Sequence, residues 1–128
     1  MEIVSKIHRA YQIAASEVAG KVQGISHTQA MLITAIAENP GASQTKLVEV
    51  TGIDRSTLAD VMRRLLHRRL VQRKRTKEDA RAYAVDVTDA GREKAAEIRK
   101  ASRLIDAKIK ALVRNIETVE IVLPEAAE

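Results

Sequence analysis

The chain has 128 residues, 45% of them hydrophobic, which suits one domain with a real core and not two. It contains no cysteine, excluding disulfides, thiolate nucleophiles, cysteine-containing zinc sites and thiol redox sensing, and with no Phe, no Trp and two Tyr its core must be packed from Ile, Leu, Val, Ala and Met. There are 22 basic and 17 acidic residues, a net charge of +5, and no apolar run near the ~20 residues of a membrane span or signal peptide before the first helix, so a cytoplasmic protein with no membrane partner is expected.

From Glu2 to about Val22, the apolar residues Val4, Ile7, Tyr11, Ala14 and Val18 recur at spacings of three and four, a heptad-like stripe that needs a partner helix. Gly24 breaks this helix. Ser26-His27-Thr28-Gln29 reads as a capping box, with Ile25 placed to staple against Ala30. The second helix carries Met31, Leu32, Ile33, Ala35 and Ile36 nearly all round, which predicts burial, and it stops at Asn39-Pro40-Gly41. Ser43 caps a short third helix, Gln44 to about Val50, whose Leu47 and Val50 are expected to point inward. Thr51-Gly52-Ile53 then makes a tight turn in which Gly52 supplies a positive φ.

Asp54 is a good N-cap for the fourth helix. Leu58, Val61, Met62, Leu65 and Leu66 fall on one apolar face, leaving Arg55, Ser56, Thr57, Ala59, Asp60, Arg63 and Arg64 on the other. Short polar side chains at the first turn and arginines further along are what a helix entering a major groove needs. Between Asp54 and Arg75 stand eight basic and two acidic residues, an excess of six, so the rest of the chain sums to −1. Such concentration on one supersecondary unit is the electrostatic footprint of binding to double-stranded DNA.

Leu70 to Arg75 and Ala82 to Val87 are strand-like, the second with Tyr83, Val85 and Val87 expected inward and Ala84 and Asp86 outward. The polar tip Thr76 to Arg81 makes the pair a winged hairpin. Thr88 caps a long final helix from Asp89 onward, whose stripe runs through Ile98, Ala101, Ile105, Ile109, Leu112, Ile116, Val119 and Leu123. About 30 helical residues span ~45 Å, more than a small domain covers, so this helix too needs a partner unless Asn115 breaks it. The expected architecture is mainly α with a small β-hairpin wing: a single domain over 1–128, with a winged helix-turn-helix core at 25–91 and dimerisation helices at 1–24 and 92–123.

This order of elements resembles the MarR family of transcription regulators, winged helix-turn-helix homodimers. The likeness covers Ser26 to Gly91. It is carried by Asn39-Pro40-Gly41, by Gly52-Ile53-Asp54-Arg55-Ser56-Thr57, by Leu70-Val71-x-Arg73, by Asp79-x-Arg81 and by Val87-Thr88-Asp89-Ala90-Gly91. The resemblance implies that Arg81 enters a minor groove while Asp79 holds the wing in shape; a narrow minor groove rewards an inserted guanidinium. It also implies a small-molecule effector, commonly aromatic or phenolic, bound between the dimerisation helices and the winged core, near His8, Tyr11 and Met31. Two departures stand out. Arg69 occupies the position where the family has Gly after the recognition helix, where a left-handed residue other than Gly costs ~1 kcal/mol and a different helix end becomes possible. The C-terminal segment is short for the family.

The expected DNA contacts are Arg55, Ser56, Thr57, Arg63 and Arg64 from the fourth helix, Gln44, Thr45 and Lys46 from the third, and Arg73, Arg75, Lys77, Asp79 and Arg81 from the wing. No enzyme, cofactor or metal is expected. His8, His27 and His67 fall on different predicted helices without a carboxylate pair, nucleophile motif or phosphate loop. A repressor acting on a pseudo-palindromic operator is the leading expectation. The rivals are a winged helix used for protein contacts and a nonspecific DNA-packaging protein. The basic excess with Asp79-x-Arg81 argues against the first, and Arg55, Ser56 and Thr57 at the groove-facing turn argue against the second.

Overall fold

The computed structural model describes residues 1–75 and 83–113. Among the described residues five helices and two paired strands follow one another: α1 Glu2–Lys21, α2 His27–Glu38, α3 Gln44–Thr51, α4 Arg55–His67, β1 Val71–Arg75, β2 Tyr83–Val87 and α5 Asp89–Val113. The expected wing tip, with Lys77, Asp79 and Arg81, and the expected continuation of the last helix through Ile116, Val119 and Leu123 lie outside the described residues. No helix among the described residues is long and apolar enough to cross a membrane.

Helix α2 sits at the centre, touching α1, α3, α4, α5 and β2. Its Leu32, Ile33 and Ile36 are fully enclosed, joined by Leu47 of α3 and Leu58, Met62 and Leu65 of α4, so the core is aliphatic throughout. The capping box at its start is complete: the Gln29 backbone N–H donates to Ser26 Oγ and the Ser26 N–H to Gln29 Oε1, both over 3.1 Å. Two neighbouring positions differ from the sequence-based reading. Met31 is only half-buried, and Val50, expected inward, is 45% exposed, because α3 turns Leu47 and part of Val48 to the core while its last turn faces a hollow beside α5.

The strands pair antiparallel from Val71↔Val87 to Arg75↔Tyr83, and Ala42 adds a bridge to Val85, whose N–H donates to the Ala42 carbonyl over 3.0 Å. Val71 and Val85 are buried, yet Tyr83, expected inward with them, is exposed. Tyr83 shares the face of Val85 but lies where the hairpin has run out beyond the body, and the Arg73 guanidinium stands 5.8 Å from its ring centre. Asp86, expected outward, is half-buried, its Oδ1 accepting the Gly41 N–H over 2.8 Å.

The junction between α4 and α5 is closed by three residues. Arg69 takes the left-handed conformation with φ 58°, its N–H donating to Leu66 O and that of Leu70 to Leu65 O, each over 3.0 Å. This is the ending a glycine would make, so the different helix end considered from the sequence does not occur. The Thr88 hydroxyl holds the arrangement by donating to the Arg69 carbonyl over 2.6 Å while accepting the Gly91 N–H. Gly91 packs so closely that a Cβ there would overlap the Leu70 carbonyl.

Helices α1 and α5 pack through Ala14 and Val18 on one side and Ile98, Ala101 and Ile105 on the other, with Lys108 Nζ pairing Glu17 Oε1 at 2.7 Å. Only the second half of the α1 stripe is buried in this way. Ile3, Val4, Ile7 and Tyr11 remain half or more open to solvent or nearly so, as does Leu104 on α5.

Candidate nucleic-acid interface

Helix α4 has two distinct sides. Leu58, Val61, Met62 and Leu65 are buried, whereas Arg55, Ser56, Thr57, Arg63 and Arg64 are all exposed. The apolar spacing alone fixes this division, since residues three and four apart share a face. Helix α3 is joined to α4 by a turn in which Gly52 sits at φ 72°, with Thr51 Oγ1 donating to Leu47 O and accepting the Ile53 N–H. Thr45 and Lys46 are exposed on α3 and Gln44 is half-buried; the α3 cap is Ser43 Oγ accepting the Lys46 N–H over 3.1 Å.

Asp54 organises the start of α4. Its Oδ2 accepts the Thr57 N–H over 3.0 Å and the Ser56 hydroxyl over 2.9 Å. Hydrogen bonds from Thr57 and Ser56 pull its pKa from 3.8 down to about 2, so the cap is ionised at neutral pH. The Ser56 hydroxyl proton is thereby directed at Asp54, which leaves its oxygen lone pairs able to accept from another donor.

One turn later Asp60 gathers the two arginines. Its Oδ1 lies 3.3 Å from Arg63 Nη2 and its Oδ2 3.3 Å from Arg64 Nε. All three side chains are half or more exposed, a setting in which such pairs contribute little and exchange readily for another anion. Arg73 projects from β1 beside Tyr83; Arg75 belongs to the same strand, and its side chain, like Lys77, Asp79 and Arg81, lies outside what is described.

A second feature lies between the helical layer and this surface. A hollow of about 330 Å³ is lined by Val18 of α1, His27, Met31 and Thr34 of α2, Val50 and Thr51 at the end of α3, and Ile98 and Ser102 of α5. The Tyr11 ring meets His27 edge-on with centroids 5.0 Å apart, while His8 stays exposed on α1 and is not among the lining residues. Of the three residues expected near an effector, then, Met31 lines the hollow and Tyr11 touches one of its walls. His27 was not singled out for this position, and neither were Asp60 as the partner of both arginines or Arg68, which donates to Gly24 O over 2.6 Å. His27 falls inside a capping box, a purely local signal that says nothing of what packs above it. Among the described residues no group of three or more His, Asp or Glu gathers as a metal site would need.

The MarR family model matches residues 23–82, which run from the turn before α2 to the hairpin. A protein of Thauera aromatica, whose name assigns it to transcriptional regulation of the hcr operon, is 30% identical over 86 residues, 67% of this chain; the match spans 52% of that protein, about half its length. A protein of Pseudomonas aeruginosa described as a probable transcriptional regulator has a solved structure that superposes with a TM-score of 0.74, at 28% identity over 82% of this chain and 80% of that one. The PcaV transcriptional regulator of Streptomyces coelicolor, solved with its natural ligand, gives 0.73 at 25% identity, covering 82% and 75% of the two chains. The family model thus takes in α2, α3, α4 and β1, and the helices superpose on those of these transcriptional regulators, so the chain is similar to the MarR family across its helix-turn-helix.

Proposed function

We propose that this protein is a homodimeric transcription regulator that binds double-stranded DNA through α4 and the wing, acting as a repressor at a pseudo-palindromic operator. The two-sided character of α4 carries this reading: its apolar face is locked into the core while Arg55, Thr57, Arg63 and Arg64 are exposed on the side open to a groove. The loosely held pairs on Asp60 suit arginines that exchange a carboxylate for phosphate or guanine. Dimerisation is supported by the uncovered apolar residues Ile3, Val4, Ile7 and Tyr11 on α1 and Leu104 on α5, too many on one layer to leave in water. Residues 1–24 and 92–123 are then the dimer-forming parts around a core at 25–91, and two-fold symmetry calls for two half-sites about one helical turn apart.

The hollow beneath α1 and α5 supports control by a small molecule. An occupant would touch Thr51, whose hydroxyl organises the turn into α4, together with Ile98 and Ser102 on α5, so it could bias the angle between the two layers. The PcaV relative, solved with its natural ligand, shows that a protein of similar fold takes one.

A footprint on genomic DNA fragments, paired with sedimentation, tests the DNA reading. A discrete protected palindrome bound by a dimer is expected. Smeared protection would favour nonspecific packaging, and absence of protection a protein-binding winged helix.

A further inference from the structure

We infer that the hollow between α2, α3 and α5 selects an uncharged or cationic small molecule carrying a hydroxyl or amino group, and rejects carboxylates. This rests on the ligand-responsive reading above and adds the chemistry of the occupant. The walls are apolar, with Val18, Ala30, Met31 and Ile98 among them, and the polar groups are Thr34, Thr51, Ser102, Asn39, His27 and Glu38. Among the described residues that line it there is no Lys and no Arg, and the one carboxylate is Glu38 at the rim. A bound carboxylate would thus leave water for a mainly apolar wall and meet a like charge, without the arginine that usually compensates it.

His27 adds a positive requirement. Its Nδ1 is buried without a hydrogen-bond partner, in a molecule whose other buried polar side-chain atoms among the described residues are satisfied. Burial holds the imidazole pKa below its ordinary 6.5, so the ring is neutral at pH 7 and presents no cation to an anion. A small shift that brought a hydroxyl or amino group to Nδ1 would satisfy it, and the Thr34 and Ser102 hydroxyls can both donate and accept. Glu38 has room to favour an ammonium over a neutral group at the open end.

One cation lies close by. Arg99 borders an adjoining hollow that shares Thr34, Glu38, Ile98 and Ser102 with this one, and it is the residue a carboxylate would have to reach. It therefore provides the control.

The test is calorimetric binding of three probes built on the same ring system, 2-naphthol, 2-naphthylmethylamine and 2-naphthoate, to the full chain at pH 7.5. Naphthol and the amine are expected to bind at least about tenfold tighter than naphthoate, the scale set by burying an unpaired charge. Glu38→Gln should weaken the amine and leave naphthol unchanged. His27→Phe should weaken naphthol, and Ser102→Leu or Met31→Trp, each filling the cavity, should block both. Naphthoate binding tightest, with the preference abolished by Arg99→Gln, would overturn the class while leaving a ligand-responsive protein. Binding of no probe, or binding that neither filling variant disturbs, would overturn the class and the underlying ligand reading together.

Discussion

The Arg68 guanidinium donates to the Gly24 carbonyl over 2.6 Å, tying the end of α4 to the turn between α1 and α2 across 44 positions of sequence. Gly24 sits at φ 74°, and a Cβ there would lie 3.3 Å from Arg68 Nη2, so the left-handed turn and the arginine are fitted to each other. A basic residue at the end of a helix proposed to read DNA is easily taken for a phosphate contact, but this one is already committed to holding the helix against the turn between α1 and α2.

Arg68→Ala is accordingly expected to lower stability by about 1 kcal/mol, the net worth of one such hydrogen bond, and to leave the salt dependence of DNA binding unchanged. Arg63→Ala should do the reverse, with little loss of stability and a log affinity against log salt slope shallower by ~0.9 per subunit. Urea melts and salt titrations of the two variants compare them directly. A shallower slope for Arg68→Ala would make it a DNA contact instead.

At the α4–α5 junction the two unusual positions should respond in opposite directions. Gly91→Ala drives a methyl group into the Leu70 backbone, and an overpacked contact of this kind costs about 1–3 kcal/mol. Arg69→Gly relieves a left-handed residue with a side chain and should stabilise by about 1 kcal/mol. Thermal denaturation of both variants reads the signs.

The cap at Asp54 predicts a segment of pH dependence. Its folded pKa, about 2, lies below the ordinary 3.8, so the unfolded chain binds the proton more readily. The contribution of the ionised cap is complete above pH 3.8 and is lost as pH falls towards 2. Asp54→Asn should flatten the stability profile across that window and change nothing in its shape at neutral pH. Urea midpoints from pH 5 to pH 2 for both proteins check this.

With Arg63 and Arg64 as the proposed DNA contacts, Asp60 would compete with DNA for both. Asp60→Asn removes the competitor and one negative charge, and exposed pairs of this kind contribute up to about 1 kcal/mol each, so affinity for any duplex should rise by roughly 2- to 10-fold. A fall in affinity confined to the specific site would instead give Asp60 a part in reading bases.

Most of the core was legible in the sequence because periodicity reports burial: the α4 stripe, the enclosed α2 and the capping box are local patterns with local causes. What failed was set by where an element ends relative to the body. Val50 has the right spacing for the core, but the last turn of α3 reaches past it; Tyr83 has the right alternation, but the hairpin has left the body at that point. At Arg69, local preference argued for a different helix end, and the Thr88 hydroxyl on the next element overrode it. The candidate site divides similarly. The polar face of α4 could be read from the chain, whereas His27 in a wall of the hollow, Asp60 gathering two arginines and Arg68 bound to Gly24 depend on packing geometry that spacing does not carry.

The central claim, that the first turn of α4 reads bases, is tested most directly by titrating wild-type protein and the Arg55→Ala, Thr57→Ala double variant against the footprinted operator and a scrambled duplex of the same length over a range of salt. The variant is expected to lose discrimination between the two duplexes, by roughly 1–3 kcal/mol for each good base contact removed, while keeping most of its affinity for the scrambled one. Unchanged discrimination, with both duplexes weakened equally, would contradict that claim and leave α4 a phosphate-binding helix that reads no sequence.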